Sequence, residues 1–438
     1  MKILFICSAF APRNVIGAVR PSKMAKYMVR MGHEVTVVSP DVPEGEPRDT
    51  LLESPEIQAS RRVVVPYAGA YHRLRGAYRK GGAGAASASG GASGLKQFAR
   101  FAVSLLNDLL WTRRVKAALR GLAGGEPFDA VISSYPNAAP HFAASWARRR
   151  GLAKRWVADF RDPMVYEWQN APQKRANTFL QRRFEARADV VTVVSRDAME
   201  KFPASAGAGK LRWVPNGFDP DDLRGAADAA AGPSPGTAEP GRLVLAYAGG
   251  LYGGKRDLSP LFRALRELTD EGAMGDGPVF LYAGPDEAIL RGFARAHGLE
   301  GSVRAMGVLE RRAALGMQQG ADAVVVCSHN SRQDRGILTG KVYECLMLGR
   351  PLVTLVNGDM PGSELGRMLD DVGAGAVYEE ARHEADFPRL KAFLAGLARQ
   401  KALGGDVTFN MNEDKKAAYA YGRIAARMAG LAGGDADA

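Results

Sequence analysis

The sequence is poor in the residues that build disulfide frameworks and metal sites. Its 438 residues include three cysteines and six histidines, and none of these residues has the spacing of a ligand set. Cys7, Cys327 and Cys345 each lie in an apolar stretch, as is typical of reduced core residues in a cytoplasmic protein. We therefore expect neither a structural disulfide nor a metal site.

Long apolar runs are also absent. No run reaches the roughly 18 residues that a membrane-spanning helix needs, and the short apolar start MKILFICSAF leads into patterned sequence without a cleavage site. We therefore expect a cytoplasmic protein. The length and the 46% hydrophobic content indicate a globular chain of two domains, each of about 200 residues.

Acidic residues are outnumbered by basic ones. The chain has 59 Lys and Arg against 47 Asp and Glu, a formal net charge of +12. Such an excess suits phosphorylated substrates or an anionic membrane surface. No module that interleaves aromatic and basic residues is present, so nucleic acid is the least favoured partner.

Strands alternate with helices along the whole chain, which predicts doubly wound α/β domains with parallel sheets. The opening unit has a strand at Lys2–Cys7, a loop at 8–19 that contains Gly17, and a helix at Arg20–Met31. It lacks the close G-x-G-x-x-G of a dinucleotide site. Gly17 either lets the backbone approach a ligand or simply makes a turn.

Two stretches interrupt this alternation. Residues 81–94 are low in complexity, and Ala226–Pro240 is rich in Ala, Pro and Gly, as is typical of a connection between domains. We predict a first domain at 1–222, a linker at 223–241, a second domain at 242–412, a helix at 413–432 and a tail at 433–438. Lys96–Arg120 is predicted as an amphipathic helix with basic flanks, which either lies in a membrane interface or packs on its own domain.

The most informative stretch is Ala323–Val356, which has the pattern of a strand, a polar loop, a helix, a turn and a strand. Ligands of open α/β sheets bind at the carboxyl ends of the strands. Thr339 is a candidate helix cap, and the helix start suits a phosphate. Lys341 and Glu344 share one helix face. They form either a solvated surface pair or, for phosphate and sugar hydroxyls respectively, part of a nucleotide-sugar site.

A second phosphate-binding candidate is the loop Gly249–Lys255, which fits G-x-x-x-x-G-K between a strand and a helix. Arg256 stands where a P-loop ATPase has the Ser or Thr that holds magnesium, so that class is disfavoured. The loop can still bind phosphate through its backbone and through Lys255 or Arg256; the alternative is a structural glycine turn.

In the first half, polar residues follow two predicted strands. Asp159 and Asp162 flank Arg161 at a strand end, where binding residues collect, although a local ion pair is an equally simple explanation. His141 lies in the helix that follows another strand, and a buried structural histidine is the favoured reading there.

The order of the motifs resembles that of the retaining nucleotide-sugar glycosyltransferases of the GT-B fold, the large family four of the group 1 type. The resemblance is carried by GHEVTVVSP, VADFRDP, ADVVTVVS, VPNGFDP, LAYAGGLYGGKRD, MGVL, GADAVVV and LTGKVYECLMLGRP, and it spans nearly the whole chain. It implies an α/β protein with two Rossmann-like domains whose parallel sheets face each other across a cleft. The first domain would present the acceptor, the second would hold the donor, and the terminal helix would cross back to the first.

The resemblance also implies roles for individual residues. Lys255 matches the diphosphate-binding lysine, with Arg256 beside it, and Glu344 matches the glutamate that holds the ribose hydroxyls. Glu344 is the second glutamate of the family's pair, and Gly336 stands where the family has the first, which leaves contact with the transferred sugar to Asp334 or to N–H groups of 336–338. Gly250 replaces a basic residue. The implied donor-binding set is Gly17, Gly249, Gly250, Gly307, Val308, Leu309, Asp334, Gly336, Ile337, Leu338, Thr339, Lys341 and Glu344. The implied catalytic set is Lys255, Arg256, Glu344 and His141, with Asp159, Arg161 and Asp162 as acceptor-side candidates.

The expected activity is sugar transfer, with retention and without a metal or other cofactor, from a nucleoside diphosphate sugar to a hydroxyl of a glycan or lipid-linked acceptor in cell-surface glycan or glycolipid synthesis. Lys96–Arg120 would attach the enzyme peripherally to the inner face of an anionic membrane. Two alternatives stay open: a non-hydrolysing nucleotide-sugar epimerase, and a non-catalytic nucleotide-sugar-binding protein.

Overall fold

Two parallel sheets, one in each half of the chain, position the candidate residues. The computed structural model describes residues 1–67, 94–122, 125–223, 241–332, 335–404 and 407–435. These fall into two compact units, Met1–Asn216 with Tyr421–Ala438 and Gly217–Ala420. The predicted α/β class with two Rossmann-like sheets is confirmed.

The first sheet has the strand order β3-β2-β1-β4-β5-β6-β7, and every pairing is parallel. The order reverses between β1 and β4, and the carboxyl ends of these strands mark the edge where α/β proteins bind ligands. Its strands are β1 (Lys2–Cys7), β2 (Glu34–Ser39), β3 (Arg61–Val64), β4 (Phe128–Ser134), β5 (Ala153–Arg161), β6 (Val190–Val193) and β7 (Leu211–Trp213).

The second sheet repeats this plan with the order β10-β9-β8-β11-β12-β13, again parallel throughout. Its reversal lies between β8 and β11. The predicted strand at Ala323–Cys327 is therefore one of the two that define the ligand-binding edge. The strands are β8 (Val244–Ala248), β9 (Val279–Ala283), β10 (Val303–Ala305), β11 (Ala323–His329), β12 (Leu352–Asn357) and β13 (Gly375–Glu379).

Helices cover both faces of each sheet. They are α1 (Ile16–Arg30), α2 (Pro55–Ala59), α3 (Gly94–Arg120), α4 (Ala138–Arg149), α5 (Ala171–Arg187), α6 (Pro203–Gly207), α7 (Ser259–Asp270), α8 (Glu287–Ala296), α9 (Arg311–Gln319), α10 (Gly340–Met347), α11 (Glu364–Val372), α12 (His383–Ala402), α13 (Glu413–Ala417) and α14 (Tyr421–Gly433).

The strand β1 shows how both faces of the first sheet are buried. Its side chains alternate, so Ile3 and Phe5 belong to a core cluster that contains α1 and α14, whereas Leu4 and Ile6 belong to one that contains α3, α4 and α5. Apolar residues on both sides of one strand are expected when helices cover both faces of a parallel sheet.

Several predicted elements differ from those in the structure. The helix α1 begins at Ile16, so Gly17 lies in its first turn and not in a loop. The helix predicted at 413–432 is two helices, because residues 418–420 turn to pair with Phe218, whose N–H donates to the Tyr419 carbonyl (3.0 Å). The first unit ends at Asn216, where the sequence placed a boundary at residue 222. The stretches 81–93 and 224–240, most of both predicted interruptions, lie outside the described residues.

Candidate active site

In the second unit, two buried tyrosines fix the loop that follows β8. The Tyr247 hydroxyl donates to the Gly250 carbonyl (3.0 Å), and the Tyr282 hydroxyl donates to the Gly249 carbonyl (3.0 Å). Their rings are stacked with centroids 6.0 Å apart. Burial raises the pKa of both phenols, so both stay protonated and can donate. Neither tyrosine was singled out from the sequence, since each reads there simply as a strand residue.

The structure brings the predicted donor-site residues Lys341 and Gly249 together at this edge. The Lys341 ammonium donates to the Ala248 carbonyl (3.0 Å). A Cβ atom at position 249 would lie 2.7 Å from the Lys341 Nζ, and the φ of Gly249 is 154°. The positive φ favours glycine here, and any side chain at position 249 would displace the Lys341 ammonium from its place. Although Lys341 is exposed as a whole, partial burial of its ammonium and then the charge of Arg256 lower its pKa, while Glu344 opposes the shift.

Lys255 and Arg256 are adjacent in the loop after β8 but differ in their surroundings. The Arg256 Nη1 donates to the Tyr247 hydroxyl (3.2 Å) and to the Gly250 carbonyl (3.1 Å), and its guanidinium lies 4.4 Å from the Tyr252 ring centroid. Lys255 is exposed, and no hydrogen bond or ion pair of its ammonium is recorded in the described part of the chain. Arg256 thus shapes the loop, whereas Lys255 is available to an anion.

The start of α10 lies after the polar loop, as the sequence predicted. Thr339 occupies the N-cap position, but its side chain makes no capping hydrogen bond, which corrects that expectation. The Ser328 hydroxyl instead holds the loop by donating to the Ile337 carbonyl (3.1 Å). Gly336 has a φ of 74°, where a glutamate would be strained, so its backbone conformation accounts for glycine here. Asp334 lies outside the described residues.

Glu344 is already engaged by a partner that the sequence did not reveal. The Arg311 Nε donates to its Oε1 at 3.0 Å.

The predicted base-contacting stretch Gly307–Leu309 lies close to Arg311 in the sequence. The Gly307 carbonyl accepts from the Gly284 N–H (2.8 Å), and Val308 is 75% exposed. The stretch is thus anchored at one end and open at its middle.

In the first unit, Asp159 is an interior residue that does not reach the protein surface. It is buried and bound by Arg20, whose Nε and Nη2 donate to the two carboxylate oxygens at 3.0 and 2.9 Å. The hydroxyls of Ser134 (3.0 Å) and Thr192 (2.8 Å) also donate to it. Burial alone would raise the pKa of Asp159, but Arg20 holds it below the ordinary value. The principal partner of Asp159 is thus Arg20, 139 residues away in the sequence, and not the neighbouring Arg161 that the sequence suggested.

The other two acceptor-side candidates lie nearer to solvent. Arg161 has a φ of 63°, rare outside glycine, and its Nη1 donates to the carbonyls of Gly17 and Tyr135, both at 3.3 Å. Gly17 and Arg161 therefore meet at the ligand-binding edge of the first sheet. Asp162 is exposed, and the surrounding protein partly desolvates its carboxyl group and raises its pKa.

His141 is a core residue, in conflict with a catalytic role at the acceptor. It is fully buried, 4.5 Å from the Phe160 ring centroid and 5.3 Å from that of Phe184. Its Nδ1 lies 2.7 Å from the Ser133 hydroxyl, and its Nε2 has no hydrogen-bond partner. Burial lowers the pKa of His141 to about 3, so the residue is neutral at physiological pH, and none of its side chain reaches solvent.

A buried carboxylate lies close to this edge on α3. Asp108 accepts from the Ala138 N–H (3.2 Å) and from the Asn137 amide (3.3 Å) at the start of α4. Burial raises the pKa of Asp108 to about 7. Its burial was not predictable from the sequence, because an aspartate in a basic-flanked helix is expected to face solvent.

Comparison with known proteins identifies a family for the first half of the chain and a shared fold for nearly all of it. Residues 17–217 match the family model described as "Glycosyl transferase 4-like domain". None of the curated proteins matches the sequence significantly. Sequence comparison therefore identifies a family only for the first half of the chain.

Solved structures share the fold over nearly the whole chain. A glycosyltransferase from Rickettsia africae has a TM-score of 0.55 at 11% identity, with 98% of this chain and 97% of that chain covered. A TarM variant from S. aureus, in complex with fondaparinux, α-GlcNAc-glycerol and UDP, has a TM-score of 0.54 at 9% identity, covering 99% and 100%. A UDP-GlcNAc 2-epimerase from Methanocaldococcus jannaschii has 0.52 at 11%, covering 98% and 99%. The chain therefore has the GT-B fold, and its residues 17–217 match a glycosyltransferase 4-like domain, in agreement with the order of its motifs.

Proposed function

We propose that the protein is a retaining, metal-independent glycosyltransferase that moves a sugar from a nucleoside diphosphate sugar to a hydroxyl of a glycan or lipid-linked acceptor. Its place would be cell-surface glycan or glycolipid synthesis on the cytoplasmic side of a membrane. The observation that carries the proposal is the edge between β8 and β11, where Lys341, Arg256 and two tyrosine-fixed glycines meet. Cations, a glycine loop and a helix start together suit a diphosphate.

The chemistry follows from charge that develops on the leaving group. The bond between the anomeric carbon and the diphosphate oxygen breaks, a bond to the acceptor oxygen forms on the same face, and the acceptor proton passes to the leaving phosphate. Lys255 and the N–H groups at the start of α10 stabilise the growing negative charge. Arg256 contributes through the nitrogens that it does not use on the loop. Glu344 accepts from the ribose hydroxyls.

The test is a screen of nucleoside diphosphate sugars by thermal shift, because a ligand that binds only the folded state raises its unfolding midpoint. The best donor is then incubated with candidate acceptors, and NMR of the product reports the anomeric configuration. A product of inverted configuration would refute retention, and undiminished activity in excess chelator is expected. A panel in which no nucleotide shifts the midpoint would instead support the non-catalytic alternative.

The epimerase alternative is kept because a UDP-GlcNAc 2-epimerase shares the fold at a TM-score of 0.52. It differs in needing no acceptor. Incubation with donor alone separates the two: an altered nucleotide-sugar supports the epimerase, whereas unchanged donor, or slow hydrolysis to free sugar, supports the transferase.

We also propose that α3 attaches the protein to an anionic membrane. Its Trp111, Val115 and Leu119 are buried in the core of the first unit. The opposite side exposes Leu106 (57%) and its neighbours at helical spacing, and it is flanked by exposed arginines. The exposed apolar residues are Val103, Leu106, Leu109 and Leu110. Both readings of this helix from the sequence thus find support, since different faces serve each.

An interfacial helix of this kind binds through apolar burial and through attraction to anionic lipid. Among the described residues, none of the helices combines the length and the hydropathy of a transmembrane span. Flotation with vesicles of phosphatidylcholine and phosphatidylglycerol tests the attachment. Leu106→Glu is expected to reduce the bound fraction at least about tenfold. The control is Leu403→Glu, at a leucine of the second unit that is even more exposed than Leu106 (89%). Equal flotation of the two variants would refute the assignment.

A further inference from the structure

Arg311, the first residue of α9, joins two carboxylates from distant parts of the second unit. Its Nε donates to the Glu344 Oε1 (3.0 Å), and its Nη2 donates to the Asp222 Oδ2 (2.9 Å) and lies 2.8 Å from the same Glu344 oxygen. The side chains of Arg311, Glu344 and Asp222 are 19%, 23% and 4% exposed. This is a partly buried network and not a surface pair.

The geometry leaves half of the Glu344 carboxylate open. Arg311 engages Oε1, and no partner of Oε2 is recorded among the described residues. Oε2 is also not among the buried atoms that lack a partner, so it keeps contact with solvent. A carboxylate can accept about four hydrogen bonds, and Oε2 can therefore accept from hydroxyl groups while Oε1 is held.

The position of Arg311 in the chain connects two ends of the expected nucleoside. It follows the stretch Gly307–Leu309, where the base is expected, and it grips Glu344, where the ribose is expected. A guanidinium suits this task because its donors form a rigid planar fork that fixes direction as well as charge. Asp222 accepts from the same guanidinium and so limits its rotation.

We propose that Arg311 is the positioning residue of the nucleoside site. It holds the Glu344 carboxylate in one orientation, with Oε2 turned to the ribose hydroxyls, and it fixes the distance between this carboxylate and the base-contacting stretch. The inference rests on the proposed function, since it assumes that a nucleoside binds here. A purely structural ion pair would stabilise the fold without affecting how the site distinguishes ribose hydroxyls.

The test compares binding of UDP, GDP and ADP, by calorimetry, with binding of the 2′,3′-dideoxy form of whichever binds best. In the wild-type protein, loss of the hydroxyls is expected to weaken binding about 10-fold or more, as for hydrogen bonds to a charged group. In Arg311→Gln this ratio is expected to fall to about threefold or less, because Glu344 is no longer held. The unfolding midpoint of each variant is recorded in parallel.

A matched control is Arg295→Gln. Arg295 grips Glu300 through Nε (2.8 Å) and Nη2 (2.6 Å) on the surface of the same unit, and its loss is expected to leave the wild-type ratio unchanged. If Arg311→Gln does not fold, Arg311→Lys carries the comparison: it keeps the charge but not the fork, and the ratio must still fall by about threefold.

The outcomes separate the inference from the proposed function. Suppose that the wild-type protein binds the best nucleoside diphosphate more tightly than its dideoxy form. If Arg311→Gln then keeps the same ratio of the two affinities, the positioning role is refuted and the proposed function stands. Equal binding of both nucleotides by the wild-type protein also refutes it, because Glu344 then does not hold the ribose. Failure of all three nucleotides to bind the wild-type protein refutes the proposed function, and the inference with it.

Discussion

Replacing Arg20 by methionine removes the principal partner of a buried carboxylate. Arg20 is 1% exposed, and its guanidinium binds both oxygens of Asp159 as well as the carbonyls of Pro215 (2.6 Å) and Val214 (3.0 Å). It thereby ties the carboxyl end of β5 to the segment that leaves β7. Methionine fills a similar volume but donates no hydrogen bond and carries no charge.

Breaking a buried pair on one side costs about 3–5 kcal/mol, because a charge stays buried without compensation. For a unit of about 200 residues this corresponds to a fall of roughly 6–20 °C in the unfolding midpoint. The matched control is Arg148→Met. The Arg148 Nε lies 2.9 Å from the Asp189 Oδ2, but the two side chains are 39% and 31% exposed, so a loss of only about 0–1 kcal/mol is expected.

Differential scanning calorimetry between pH 7 and pH 4 gives the measurement and its sign. Arg20 keeps the folded-state pKa of Asp159 below its ordinary value of 3.8. The pair therefore contributes its stability above about pH 4 and loses it as the pH falls through the lower folded-state value. Without Arg20, burial favours the protonated form of Asp159. The difference in unfolding midpoint between the wild-type protein and Arg20→Met is therefore expected to shrink toward pH 4. A midpoint at pH 7 no lower than that of Arg148→Met would refute this reasoning.

Other predictions concern the site and its surroundings. Lys255→Ala and Glu344→Ala are each expected to lower kcat about 10²-fold or more in the transfer assay, the cost of one preorganised group; near-normal turnover would contradict the site. The folded-state pKa of His141 is about 3, against an ordinary value of 6.5, so between these pH values only the unfolded chain protonates this histidine. The unfolding midpoint of the wild-type protein is therefore expected to fall more steeply from pH 7 to pH 4 than that of His141→Phe. Gly336→Glu is expected to destabilise by about 1–3 kcal/mol without raising activity, because of its positive φ; Gly292→Glu, on an open helix surface, serves as its control in chemical denaturation.

The strands that form the ligand-binding edge were predictable because their signal is local. Ala323–Cys327 and Val279–Ala283 are short, continuous apolar runs between turns, as expected for strands covered on both faces. The structure extends the first to His329 and reproduces the bounds of the second. The motifs of the donor loop and of α10 likewise lie in contiguous stretches.

The partners of the site residues were not predictable, because they come from distant segments. Arg20 lies 139 residues from Asp159 in the sequence, and Arg311 lies 33 residues from Glu344 and 89 from Asp222. An arginine at a helix start gives no local sign of which carboxylate it will reach. Burial is equally non-local, which is why the fully buried environment of His141 emerged only with the helices packed around it.

The division of the chain has a consequence for exchanging parts between proteins of this fold. The second unit is one continuous segment, whereas the first is assembled from two, with Ile424 and Met428 of α14 in its core. Cutting the chain after Ala420 would therefore remove α14 and expose apolar core residues of the first unit to solvent. The chain leaves and re-enters side by side, since Phe218 pairs with Ala420. The second unit is in effect an insertion with adjacent ends, so the corresponding unit of another protein of this fold is expected to replace it between Asn216 and Tyr421 as a single segment.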